Sequence, residues 1–134
     1  MTLRIDRLDH LVMTVRDIEA TCRFYEKVLG MTRETFGPKG TRVALVFGDQ
    51  KINLHPESGN DIGYLARIAQ SGTEDLCFIT QEEPDVVLAH LRACGVTPLD
   101  PEPVARTGAK GPIRSVYFRD PDGNLIELSS YSAV

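Results

Sequence analysis

The sequence predicts an α+β fold: two tandem β-α-β-β-β modules forming a cupped mixed sheet, with helices on the outer face. Three observations predict it. The same succession of elements occurs twice, a strand, a helix closed by glycine, then three short strands. His10 lies 65 residues before Asp75, and the helix-ending Gly30 lies 65 before Gly95. The final strands match as well, Ile52-Asn53-Leu54 against Ile126-Glu127-Leu128, at a spacing of 74. An insertion in the second module, read as a loop over 104–112, accounts for the nine extra positions.

Each element has its own warrant. In the first strand, residues 8–15, Leu11, Met13 and Val15 share one face and His10, Val12 and Thr14 the other. Asp17 is a fitting N-cap for a helix over about 18–29. Ile18, Cys22, Tyr25, Val28 and Leu29 follow helical spacing, and Gly30 is the C′ residue. Strands follow near 31–36, 42–47 and 51–55, separated by Gly37-Pro38-Lys39-Gly40 and Gly48-Asp49-Gln50. Residues 56–72 read as a linker, with Tyr64–Ile68 a short packed segment inside it. The order restarts at Asp75–Thr80. Pro84 opens a second helix with the apolar stripe Val87, Leu88, Leu91 and Cys94, and Gly95 ends it. Strands near 97–103, 113–119 and 124–129 complete the unit. The domain organisation is therefore one domain over 1–134, with module 1 at 6–55, the linker at 56–72 and module 2 at 73–131.

Composition narrows the function. A chain of 134 residues with net charge −4, its 15 Lys and Arg scattered, offers no basic surface for nucleic acid. No apolar run reaches membrane-spanning length, and the N-terminus does not resemble a secretion signal. The three cysteines, Cys22, Cys77 and Cys94, form no CxxC pair, which fits a reducing cytoplasm. No GxGxxG, P-loop or GxSxG motif occurs.

Two stretches carry the candidate chemistry. Asp120-Pro121-Asp122-Gly123 is a tight-turn signal. Alternation after it sends Asn124, Ile126 and Leu128 to one face and Leu125, Glu127 and Ser129 to the other. A lone glutamate on a strand is ordinarily a solvent-facing residue, and a lone histidine is ordinarily structural. Both His10 and Glu127 point away from the core, however, and both are metal-ligand types. If a pseudo-two-fold relates the modules, His10, Asn53, Asp75 and Glu127 converge, and His55 shares the face of Asn53. Arg106 and Lys110, in the glycine-bearing stretch 106–112, suit a lid over an anionic substrate. The other reading of that stretch is an ordinary solvated hairpin. Tyr117 and Arg119 alternate with Phe118 and line the same side. Cys77 shares the face of Asp75 as an inert wall residue, and His90 is a surface position on the second helix.

The paired modules, together with DHLVMTV, FYEKVLGM and DPDGNLIEL, resemble the vicinal oxygen chelate superfamily over nearly the whole chain. That superfamily includes glyoxalase I, fosfomycin-resistance enzymes, extradiol dioxygenases, methylmalonyl-CoA epimerase and bleomycin-resistance proteins. FGDQKINLH and RTGAKGPIRSVYFRDPDGNLIE resemble its lactoylglutathione-lyase-like branch. The resemblance implies a divalent metal (Zn, Ni, Mn or Fe) held at the four module-equivalent positions, and a homodimer. His10 and Glu127 match that pattern; Asp75 stands where many members have His, and Asn53 where glyoxalase I has Glu. The implied metal set is His10 and Glu127 with Asp75, His55 or both. Glu127 and Asp75 are the candidates for proton transfer, and Asn53, Arg106, Lys110, Tyr117 and Arg119 for substrate contacts. The expected activity is metal-dependent isomerisation or addition of the glyoxalase type. The alternatives are a metal-free ligand-sequestering protein and an extradiol-type dioxygenase. Ring cleavage would need His55 as the second histidine of a two-His-one-carboxylate triad.

Overall fold

The computed structural model describes residues 2–59 and 62–131. The chain divides into two compact units, Met1–Gln70 and Ser71–Val134, each a four-stranded mixed sheet with one helix. The first contains β1 (His10–Val15), α1 (Ile18–Leu29), β2 (Thr32–Phe36), β3 (Arg42–Phe47) and β4 (Gln50–Pro56). The second contains β5 (Asp75–Ile79), α2 (Pro84–Ala93), β6 (Val104–Gly108), β7 (Gly111–Arg119) and β8 (Leu125–Ser130). Strand orders are β1-β4-β3-β2 and β5-β8-β7-β6, and in each unit the first strand pairs in parallel with the last. The predicted α+β fold of two tandem modules is the observed one.

The helices form where caps and apolar spacing direct them. The Asp17 carboxylate accepts the Ala20 N–H at 3.0 Å, and Gly30 closes α1 at φ 66°. Thr21, Cys22, Tyr25 and Val28 are buried on the side of α1 that packs against β2, β3 and β4. Met13, Val15, Leu45, Ile52 and Leu54 complete this core. Arg33 on β2 donates to Glu19 at 2.6 Å and to Glu26 at 2.8 Å, tying the strand to two turns of α1. In the second unit Val87, Leu88 and Leu91 of α2 are buried, along with Val116, Phe118 and Ile126 of β7 and β8. Burying a side chain of this size contributes roughly 1.5–3 kcal/mol. Each helix therefore claims one sheet face, and polar side chains are left to the other.

Three expectations are corrected. Residues 97–103 are not a strand: Pro98, Pro101 and Pro103 lack the N–H a ladder needs, and β6 begins directly after the last of them. Tyr64, Leu65 and Ile68 are exposed by 96, 50 and 56 %, so Tyr64–Ile68 is not a packed segment. Its neighbours in 62–70 form neither helix nor strand that would cover it. Residues 104–112 are not a loop but a paired hairpin with the two-residue turn Ala109-Lys110 between Gly108 and Gly111. Its tip is held, since the Lys110 N–H donates to the Tyr131 hydroxyl at 3.0 Å. Ladder register matches Phe36 to Val104, Ala44 to Tyr117 and Asn53 to Glu127, at offsets of 68, 73 and 74. Five of the nine extra residues thus lie in this hairpin, three before it and one after it.

The turn that delivers β8 is built around Asp120, which is 6 % exposed. Its carboxylate accepts the Asp122 N–H at 2.9 Å, the Asn124 N–H at 3.0 Å and the Asn124 side-chain amide at 2.8 Å. Asn124, fully buried, accepts the Glu74 N–H at 2.8 Å and so joins the turn to the start of β5. Removing Asp120 strands buried donors, each at a cost of about 1–3 kcal/mol. Asp120→Ala is expected to lower the unfolding free energy by about 3 kcal/mol in urea titration. A loss below about 1 kcal/mol would show that the turn does not need this carboxylate.

Candidate functional site

In each unit the face away from the helix collects the polar candidates. On the first sheet, parallel register aligns His10 with Lys51, Val12 with Asn53 and Thr14 with His55. The His10 side chain is 39 % exposed, and its Nδ1 lies 2.8 Å from the Asp9 carboxylate. That contact holds the Asp9 carboxyl below its ordinary range. It also leaves Nε2 as the outward nitrogen, the arrangement in which a carboxylate orients a ligating imidazole. Asn53 sits between Val12 and Ala44, and its buried Oδ1 has no hydrogen-bond partner among the described residues. A buried acceptor without a donor is costly unless something outside the chain satisfies it. His55 lies two positions further along; burial, then the Arg42 charge, push its pKa down, so its imidazole is neutral at pH 7.

The second sheet gathers a denser group. Register places Cys77 and Tyr117 on either side of Glu127, and Ser115 opposite Ser129. Glu127 is half-buried, and its Oε2 accepts from Ser115 at 2.5 Å and from Ser129 at 3.2 Å. The two serine oxygens are 2.7 Å apart, and Cys77 Sγ lies 3.2 Å from Ser129 Oγ. Burial, and secondarily the Glu127 carboxylate, push the Cys77 thiol up, so it is no thiolate nucleophile. Asp75, exposed, shares this face at the start of β5. Arg106 Nε donates to the Tyr117 hydroxyl at 3.1 Å, with the guanidinium 5.6 Å from the ring centroid. Burial raises the Tyr117 pKa, so this phenol stays protonated beside Glu127.

The structure thus groups His10, Asn53 and His55 on one sheet face, and Asp75, Glu127, Arg106 and Tyr117 on another. Arg119 is exposed at the end of β7, where its guanidinium donates to the Gly123 carbonyl at 3.4 Å. Lys110 is exposed at the hairpin tip. His90 is exposed on α2, as expected. Among the described residues no three His, Cys, Asp or Glu side chains stand close enough to hold one ion. Sequence reasoning missed Asp9, Ser115 and Ser129. Alternation already put Ser129 beside Glu127, but only strand register brings Ser115 to it. The first sheet offers an imidazole nitrogen and an orphaned amide oxygen and the second a carboxylate oxygen, each a donor type that borderline or hard divalent cations take.

Residues 7–128 match the Glyoxalase/Bleomycin resistance protein/Dioxygenase superfamily, and the chain belongs to that family. It is 50 % identical over 127 residues to Virulence protein STM3117 of Salmonella typhimurium, covering 95 % of this chain and 85 % of that one. Among solved structures, an integron cassette protein from the mobile metagenome of V. cholerae superposes with a TM-score of 0.92. The two are 52 % identical, over 98 % of this chain and 99 % of that one. The same fold, at 22 % identity, occurs in a lactoylglutathione lyase from Agrobacterium tumefaciens (TM-score 0.71; 96 % of each chain). It also occurs in TnmS3, an antibiotic binding protein from Streptomyces (TM-score 0.73; 96 and 98 %).

The lowered pKa of His55 has a consequence for stability. The unfolded chain takes up this proton near 6.5 while the folded chain resists it, so the folded state loses ground as pH falls below that value. In urea titrations at pH 7.5 and 5.5, His55→Asn is expected to lose less stability on acidification than the parent. An equal or larger loss in the variant would contradict the assignment.

Proposed function

We propose that the chain is a metal-dependent enzyme of the glyoxalase type that moves a proton on, or adds a group to, a small anionic substrate bearing two adjacent oxygens. In this reading His10 and Glu127 hold the divalent cation (Zn, Ni, Mn or Fe), and the protein works as a homodimer in a reducing cytoplasm. The observation that carries it is that each donor is already oriented by its neighbours through one of its two atoms. Asp9 holds His10 by Nδ1, and the two serines hold Glu127 by Oε2. Neither His10 Nε2 nor Glu127 Oε1 is used by these bonds. Members of this superfamily commonly use divalent metals, which supports the same assignment.

A cation bound there would act as a Lewis acid on the substrate's oxygens. Asp75, exposed on the face of Glu127, is the carboxylate that takes and returns the proton, a role that falls to Glu127 only where it does not hold the ion. Arg106, steadied by Tyr117, receives the substrate's anionic group, with Lys110 and Arg119 as further cations on the same unit. Asn53 offers its unpartnered Oδ1 to a donor or to the ion, and His55 or Asp75 completes the ligand set. Dimerisation is supported by Leu3, Ile5 and Leu8, exposed by 83, 81 and 69 % near the N-terminus.

After reconstitution with Zn²⁺ or Ni²⁺ and exhaustive dialysis, the protein is expected to retain divalent metal by elemental analysis. His10→Ala and Glu127→Gln are each expected to lose it. Parent protein that retains none would overturn the proposal in favour of a metal-free ligand-binding protein; oxygen uptake with a catechol would favour ring cleavage instead. A charge-assisted hydrogen bond contributes about 1.5–3 kcal/mol, a factor of roughly 10–150. Arg106→Ala is therefore expected to raise KM by at least tenfold in steady-state assays, with kcat kept within about twofold. An unchanged KM would remove Arg106 from substrate binding.

A further inference from the structure

The surroundings of Glu127 are not those of its counterpart in the other unit. Ladder register matches Asn53 to Glu127, Val12 to Cys77, Arg42 to Ser115 and His55 to Ser129. In the first unit these positions hold no hydroxyl, and the Asn53 Oδ1 stays without a partner among the described residues. In the second they hold two hydroxyls and a thiol, all connected to one carboxylate oxygen. The same backbone pattern carries both sets, so the hydroxyl shell is a property of the strand pair that bears the carboxylate rather than a requirement of the fold.

Proton counting gives this shell a direction. Each hydroxyl has one proton to donate. Ser115 gives its proton to Glu127 Oε2 at 2.5 Å. Ser129 has Ser115 Oγ at 2.7 Å and Glu127 Oε2 at 3.2 Å as acceptors. The Cys77 thiol, 3.2 Å from Ser129 Oγ, completes the series as a donor into Ser129. Both serine donors therefore point toward Oε2 and neither of their bonds reaches Oε1, while Cys77 and Tyr117 also bear on the Glu127 carboxylate. Ser115 and Ser129 are 0 and 1 % exposed, so neither serine hydroxyl is open to bulk solvent.

We infer that Ser115 and Ser129 are positioning residues that grip Glu127 by one oxygen and thereby aim the other at its ligand. This rests on the reading of Glu127 as a metal donor. Neither serine touches the ion or the substrate in this account. Outer partners of this kind typically change metal affinity by about 10–100-fold when removed.

The test is calorimetric titration of the parent, Ser115→Ala, Ser129→Ala and Ser130→Ala with Zn²⁺ alone. Ser130 is the control, a buried serine on the opposite face of β8 from Glu127. Ser115→Ala and Ser129→Ala are expected to weaken Zn²⁺ by about 10–100-fold, with Ser130→Ala like the parent. Parent-like affinity in Ser115→Ala, or an equal loss in Ser130→Ala, would overturn the inference. If the parent binds no Zn²⁺, the metal reading fails, and the serines are judged by the crystal structure of Ser115→Ala. A Glu127 side chain that leaves its rotamer supports the positioning role; one that stays put refutes it. Should Ser115→Ala fail to fold, Ser129→Ala decides on the same measurements.

Discussion

The parallel pairing of first strand with last is the constraint on which each unit depends. It joins β1 to β4 and β5 to β8, residues far apart in sequence, and fixes their register to the residue. Because side chains alternate across a strand, that register decides which of them meet. A slip of one residue in β8 would send Glu127 into the apolar side and Ile126 out of it, and a slip in β1 would expel Met13 and Val15. The helix then closes the apolar face, and the turn around Asp120 and Asn124 holds β8 in line with β5. The chemistry of the opposite face follows from these packing demands.

The two units share that plan but carry different polar faces. One carries an imidazole held by a carboxylate, an amide oxygen without a partner, and the cations Lys51 and Arg42. The other carries two carboxylates, two buried serines, a protonated thiol and a tyrosine bound by arginine. Neither face holds three metal-ligating side chains together among the described residues.

Most of the fold was readable because local chemistry and global pattern agree. Asp17, Gly30, Pro84 and Gly95 mark helix ends by mechanisms that act within a few residues. The alternation around His10 and Glu127 identified their faces. What failed was non-local. The prolines at 98, 101 and 103 bar a strand whose existence the repeat alone suggested. The hairpin at 104–112 looks like a glycine-rich loop until β7 is seen to pair with it. Ser115 could not be assigned to Glu127 from sequence, because cross-strand neighbours are set by register and not by spacing along the chain. Tyr64, Leu65 and Ile68 are apolar but exposed, so an apolar run in the sequence did not by itself identify a buried segment.

The reading of His10 and Glu127 as joint donors to one cation is decided by anomalous diffraction from crystals grown with Zn²⁺. The account predicts a peak about 2.0–2.2 Å from both His10 Nε2 and Glu127 Oε1, the two donors drawn from one protomer or from two. Crystals grown with Zn²⁺ that show no peak at either atom, or a peak on one of them alone, would contradict it.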